Sequence, residues 1–422
     1  MKQKLMRRMA LWFLLSGTRL FAGADESDSL VAAAWKAWEK NDQQQVEQMF
    51  LAAVQAGPKN TRAHLGLSFL YAYQEKHEAA WLAFKNILQT EANFYPYLYS
   101  AWLTPKLRRS LNNPKTGAVE LLENLAKQAD AAGILQAMAN DVLGEHYQAK
   151  GELNKSRQFY QNVNALKDWM VIGPFENVSA AGFENVYPPE VEYDAAKTYP
   201  GKNGIPAKWF KIAATRNDGW IDHRRYFSYL QAVYYGNNFV YSPKKQPVQI
   251  RLGTSGSLKA FLNDELLIEY FDENNNDLDT YIVATELQEG WNRLLIKCGF
   301  SEINQCNFLV RLTGERGEAI PGLKITTEAQ KYASRPGAPA KMVENFAEAF
   351  FQHKIKENPQ HLENYLLLAD CYLRNDKPSR PSWGCARRSS FHRNALCCMT
   401  PFSKLICAAK NTTSKPRPSK RF

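Results

Sequence analysis

Apolar positions in the first third of the chain recur with two periods, a helical spacing within segments and a longer repeat of 34 residues between them. Ala33, Ala34, Val46, Phe50 and Ala53 return 34 residues later as Leu67, Ser68, Ala80, Phe84 and Ile87. Gly144, Tyr147, Gly151, Ser156, Tyr160 and Val163 keep the same internal spacing after a longer insertion. This pattern predicts pairs of antiparallel helices, each burying its apolar face only against its neighbours, with Pro58 ending a second helix. The stretch 93–114, with Phe94, Tyr95, Tyr97, Tyr99, Trp102 and three prolines, interrupts the period and reads as a divergent helical unit. At Asp168 the pattern changes to short β runs punctuated by Gly, Pro and Asn. The runs 169–175, 232–236, 248–253, 258–268, 281–285, 290–297 and 308–312 predict an antiparallel sandwich, with a long irregular arm between the first two. Helical spacing returns at Phe346, Ala347, Phe350 and Phe351, and Leu368, Ala369 and Tyr372 open a further repeat. Its second helix is due at about 378–391, where Pro378 and Pro381 stand instead, each costing about 3 kcal/mol in a helix interior.

The first pattern resembles the tetratricopeptide repeat, in which first helices line a concave groove. The resemblance places Trp35, Trp38, Arg62, Phe69, Tyr73, Asp141, Glu145 and Gln148 on that groove and implies a peptide ligand. Trp35 and Trp38 suit equally a role in packing under the solenoid's end or against the next domain. Leu262-Asn263-Asp264-Glu265, followed by Gly290-Trp291-Asn292-Arg293-Leu294-Leu295-Ile296-Lys297, resembles a galactose-binding-like jelly roll. There Gly290 permits the hairpin, Trp291 covers one end and Asn292 caps the turn. The opening 169–175, with Gly182-Phe183 and Tyr187-Pro188-Pro189-Glu190, further resembles the junction after tetratricopeptide repeats in secreted bacterial proteins that continue into a transglutaminase-like cysteine peptidase domain. The fold class is therefore multidomain, α plus β. A signal peptide over 1–24 precedes a tetratricopeptide solenoid over 25–167 and a β-sandwich with its arm over 168–325. A linker over 326–340, a partial repeat over 341–377 and a basic tail over 378–422 complete the division.

Charge changes the picture at the two ends. The chain of 422 residues carries 53 Lys+Arg against 42 Asp+Glu, a formal +11 that first suggests a phosphate-rich partner. Residues 1–24 hold five of the basic side chains and 378–422 hold ten, and neither segment holds an acid. Removing both leaves 38 basic against 42 acidic side chains, which argues against a nucleic-acid surface. The basic start, the apolar run 9–15 and Ala22-Gly23-Ala24 form an export signal, so a periplasmic or secreted location is expected, with no membrane span after cleavage. The tail reads as a frameshifted or truncated end, because a codon-compatible alternative frame spells a helical repeat. A natural disordered basic tail that binds anionic surfaces is the competing reading.

Candidate chemistry is sparse. The sequence contains no phosphate loop, zinc spacing or serine elbow, and its seven histidines show no pattern that selects a partner for a cysteine nucleophile. The expectation is a non-catalytic chain without cofactor or metal. The loop 272–279 collects oxygen ligands of the type calcium prefers, yet lacks the EF-hand glycine and reads as a solvated hairpin. Cys298 and Cys306 flank a hairpin, as a disulfide or as two buried thiols. Trp209, Trp220 and Tyr234-Tyr235 are either sugar platforms or packing residues. Three functions follow: an exported scaffold that binds a protein or peptide in the groove, with a glycan on the sandwich as a second ligand; the non-catalytic front of a cysteine peptidase whose catalytic domain is missing; and a carbohydrate-binding protein.

Overall fold

Helix starts follow local side-chain chemistry in the computed structural model, which describes residues 25–38, 42–102, 110–128, 132–212, 216–335, 337 and 339–375. The expected export segment and basic tail lie outside these residues, as does the position of the missing second helix. Helix α1 runs over 25–38. Asp42 accepts the Gln45 N–H at 3.1 Å and caps α2 (Gln43–Ala56). Asn60 accepts from Arg62 at 2.9 Å and Ala63 at 3.2 Å, capping α3 (Thr61–Tyr73). Both caps satisfy N–H groups that a helix start leaves without partners. Helices α4 (His77–Thr90), α5 (Ala118–Lys127), α6 (Gly133–Ala149) and α7 (Leu153–Asn162) follow, and α8 (Phe346–Glu357) and α9 (Leu362–Arg374) come after the strands.

The 34-residue pattern has a steric reading. A Cβ on Gly66 of α3 would lie 2.2 Å from the Phe50 ring of α2, and one on Gly144 of α6 would lie 2.6 Å from the Tyr160 ring of α7. Each crossing therefore depends on a missing side chain facing an aromatic. Equivalent hydrogen bonds join the two helices of a pair in opposite directions. Ser68 Oγ on α3 donates to the Ala80 carbonyl on α4 at 3.0 Å, whereas Ser156 Oγ on α7 donates to the Gly144 carbonyl on α6 at 2.7 Å.

The strands are β1 (Met170–Glu176), β2 (Thr198–Pro200), β3 (Pro206–Lys208), β4 (Phe210–Lys211), β5 (Ile221–Asp222), β6 (Ala232–Ser242) and β7 (Gln246–Leu262). After them come β8 (Glu265–Asn275), β9 (Tyr281–Leu287), β10 (Gly290–Phe300), β11 (Asn307–Thr313), β12 (Lys324–Thr326) and β13 (Lys341–Met342). All but the β2–β3 hairpin join one curled antiparallel sheet in the order β13-β9-β7-β10-β6-β1-β4, with β8 and β11 also on β7. The runs expected over 248–253 and 258–268 are divided differently: β7 spans 17 residues, joins the first run to the start of the second and serves four neighbours, and the hairpin at Asn263-Asp264 separates the rest as part of β8. The first part of β7 pairs with β9 and β11 and its last with β8 and β10, and Gly256 at φ +123° lies where the pairing changes.

Alternation along these strands separates two faces. Val248, Ile250, Leu252, Leu258, Ala260 and Leu262 of β7 join Leu294, Ile296, Cys298 and Phe300 of β10 in one core with Trp169, Tyr234, Phe308 and Val310. The opposite face is covered by the irregular arm, whose Phe183, Tyr199, Ala207 and Trp209 pack against Ile172, Val233, Tyr235 and Leu295. Each such aromatic or aliphatic side chain contributes about 1.5–3 kcal/mol when fully buried.

The described residues form two compact units. One comprises those up to Ala118 together with Phe346–Cys371, and the other comprises Val119–Asn345 with the residues just after Cys371. The α6–α7 pair thus belongs with the sheet. A Cβ on Gly133 would meet the Arg316 carbonyl at 2.3 Å, and the Leu166 N–H donates to Val310 O at 2.8 Å.

Candidate functional site

The residues expected on the groove divide between the units. On α1 and α3, Trp35 is 2% exposed, stacks on Trp38 at 5.3 Å and meets Phe50 edge-on at 5.3 Å. It is core, and Trp38 and Phe69 are partly buried against the same cluster. Tyr73 is exposed and meets Trp38 edge-on at 6.2 Å. On α6 of the other unit, Asp141 is half-buried while Glu145 and Gln148 are exposed.

Side chains expected on the groove in the first unit are met by α9. Leu366 of α9 belongs to the cluster of Val31, Ala34, Trp35, Phe50 and Leu70, and Leu362 packs against that cluster. Arg62 pairs with Asp28 at 3.1 Å and, through Nε, with the buried carboxylate of Glu363. The Ser100 hydroxyl donates to Leu367 O at 2.5 Å, and Tyr97 meets the rings of Phe350 at 5.6 Å and Phe351 at 5.4 Å. The returning chain therefore lays an amphipathic helix against α1 and α3.

The sheet holds a second concentration of polar chemistry. Arg251, Lys259, Arg293, Lys297 and Arg311 occupy alternate positions on the face opposite the apolar core, and all are buried. Burial of charge requires partners, and each cation has one. Asp279, fully buried, pairs with Arg251 at 3.3 Å and with Arg311. The Arg251 Nε donates to Thr313 Oγ1 at 2.8 Å, and the Arg311 Nε donates to Val163 O at 2.6 Å, which ties the end of α7 to the sheet. Lys259 pairs with Glu269, its direct cross-strand neighbour. Arg293 pairs with Asp264 at 3.2 Å and donates to Pro189 O at 2.6 Å. Lys297 donates to Glu190 Oε1 at 2.8 Å and Asn185 O at 2.6 Å, among the rings of Phe183, Tyr187 and Tyr235. The same Glu190 oxygen accepts the Tyr235 hydroxyl at 2.5 Å. Burial lowers the Lys297 ammonium from its ordinary range and Glu190 opposes that shift.

The sequence motifs meet here. Asn263 and Asp264 both adopt positive φ, 51° and 69°, as a two-residue hairpin between β7 and β8 requires. Asn263 Nδ2 donates to Asn292 Oδ1 at 2.8 Å, and the Arg293 N–H donates to Asn263 Oδ1 at 2.9 Å. Asn292 also accepts from Gln288 N and donates to Gln288 O, each at 2.9 Å, so it caps the β9–β10 turn. Trp291 is half-buried and lies edge-on to its cross-strand neighbour Tyr241 at 5.4 Å. Tyr187-Pro188-Pro189-Glu190 closes the arm over Arg293 and Lys297. These contacts build and hold the fold.

Several candidates change character. Cys298 and Cys306 are free, buried thiols, so the alternative of a disulfide is not what forms. Both sit in the apolar core, where burial pushes the Cys298 thiol up to about 12 and the Cys306 thiol well above its ordinary value. Trp209, Tyr234 and Tyr235 are buried and offer no sugar platform, and Trp220 is half-buried beside Gly253. In the 272–279 loop, Glu273 accepts the N–H groups of Glu302 and Ile303 at 2.9 Å each, and Asp279 turns inward to the two arginines. Among the described residues no group of three or more His, Cys, Asp or Glu side chains is placed to hold a metal ion. No helix among them is long and apolar enough to cross a membrane.

His223 carried no signal in the sequence. It is fully buried, lies face-on to Tyr234 at 5.2 Å, and has no hydrogen-bond partner on either ring nitrogen. Burial alone pulls its pKa down to about 3. Compared with family models, curated proteins and solved structures, the chain matches none.

Proposed function

We propose that this chain is an exported, non-catalytic interaction protein that holds peptide segments in a groove of tetratricopeptide-like helix pairs. In this reading the sheet unit is a galactose-binding-like jelly roll serving as a scaffold. The observation that carries the reading is the helix already lying against α1 and α3: apolar side chains on the aromatic cluster and a carboxylate on Arg62 are the elements of helix-in-groove recognition. The close helix crossings at Gly66 and Gly144 and the reciprocal serine bonds support the repeat assignment, and the Asn263–Asn292 pair supports the jelly roll. Burial of Trp209, Tyr234 and Tyr235 makes glycan binding the weaker role.

The test is a peptide array probed with the full chain and with Tyr73→Ala. Tyr73 is exposed, so its truncation leaves the fold intact by circular dichroism. Peptides retained by the wild type and lost by the variant support the groove. An array that retains nothing, with either protein, overturns it.

A further inference from the structure

We infer that the Arg62 end of the groove is a receptor for an amphipathic helix carrying the pattern Leu-Glu-x-x-Leu, that α9 is its resident occupant, and that a partner helix of the same chemistry binds by displacing α9. The inference rests on the groove reading above and names the partner that reading leaves open. Leu362 and Leu366 are one turn apart and reach the Trp35 cluster from a single face of α9. Glu363, in the first turn of α9, places its carboxylate on Arg62 with a side-chain exposure of 1%. Its second oxygen, Oε2, is buried with no hydrogen-bond partner.

Arg62 stands in the first turn of α3, where a cation opposes the helix dipole. Its position answers to Asp28 and Glu363, not to the needs of its own helix. The two partners of this part-buried pair are 301 residues apart in sequence. The chain between them is largely a folded unit, so α9 competes as a linked segment whose effective concentration that unit sets, and a free helix at higher concentration can exceed it. The apolar pattern fixes the register of such a ligand and the carboxylate fixes its sign.

The experiment uses the full chain and a fluorescein-labelled synthetic peptide of residues 346–375, read by anisotropy. Wild-type chain should bind the peptide weakly, because α9 competes. Glu363→Arg sets the resident α9 against Arg62 and should tighten peptide binding about tenfold. Arg62→Glu should reject the unmodified peptide and accept one carrying Glu363→Arg. Restoring the pair in reverse, with both substitutions in the chain, should return weak binding. Should Glu363→Arg fail to fold, Glu363→Gln keeps the shape, removes the charge and should give a smaller gain of the same sign. A folded Glu363→Arg or Glu363→Gln chain that gains no affinity overturns the inference, as does binding indifferent to the sign at Arg62. Neither result disturbs peptides that the array finds to depend on Tyr73, so the two readings fail separately. A concentration-dependent dimer of wild-type chain that the peptide dissociates would assign the groove to a second copy's α9 and overturn the foreign partner.

Discussion

Helix pairs and sheet achieve close packing in opposite ways. At the helix crossings a side chain is deleted, at Gly66 of α3 against Phe50 of α2 and at Gly144 of α6 against Tyr160 of α7, and serine hydroxyls fasten α3 to α4 and α7 to α6. In the sheet, long cations are buried and then neutralised: Arg251 and Arg311 on Asp279, and Lys297 on Glu190. The serine bonds are cheap to lose, since a neutral hydrogen bond is worth about 1 kcal/mol net. The buried ion pairs are not, because removing one partner leaves a charge stranded in low dielectric. The difference predicts where the molecule breaks.

The largest effect should come at Asp279. Asp279→Ala leaves Arg251 and Arg311 facing each other without the carboxylate they share, and the sheet should lose about 3–5 kcal/mol, read by urea unfolding. A loss below about 1 kcal/mol would show that water or relaxation replaces the carboxylate, and the contrast with the helices would fail. Lys297→Met should cost about 3 kcal/mol by stranding Glu190 under the arm. Adding Glu190→Gln should recover most of it, because Tyr235 can still donate to the amide oxygen. A double variant as weak as the single would mean that the ammonium's contacts with the three rings matter more than its charge.

His223 sharpens the comparison with pH. Its folded pKa of about 3 lies below the unfolded value of 6.5, so the unfolded chain takes up the proton first as pH falls. Its contribution to stability is intact above pH 6.5, declines by about 1.4 kcal/mol per unit below that, and levels off only near pH 3. At pH 5 the wild type should therefore have lost about 2 kcal/mol that His223→Phe retains. Parallel stability curves for the two proteins between pH 7 and 4 would remove the burial argument.

What the sequence made legible follows the same division. The helix pairs rest on contacts about a dozen residues apart, close enough for a period to expose them. Asn292 was legible as a turn residue because turn chemistry is local, whereas Asn263 was read inside a single run over 258–268 that the structure breaks into β7, a two-residue hairpin and β8. The buried charges were not. Arg251, Lys259, Arg293, Lys297 and Arg311 alternate with apolar residues, and alternation by itself describes a strand with one wet face. Only the arm, arriving from 100 or more residues earlier in the chain to Lys297, turns that face into an interior. The place of α9 was hidden for the same reason: it read as the start of a further repeat, since nothing local ties Glu363 to Arg62.

The smallest effect tests the repeat itself. Ser156 is buried and Ser68 half-buried, so Ser156→Ala should cost about 1 kcal/mol and Ser68→Ala about half that, since water can reach the abandoned Ala80 carbonyl. The two serines stand on opposite members of their pairs, one on the first helix and one on the second. If the pairs share one geometry, Ser68→Ala combined with Ala80→Ser should regain the lost stability, because a hydroxyl at position 80 reaches back to the carbonyl at 68 as Ser156 reaches Gly144. Urea midpoints decide it. A double variant weaker than Ser68→Ala alone would mean that the two crossings differ in shape and that the 34-residue period reflects composition, not a repeated structure.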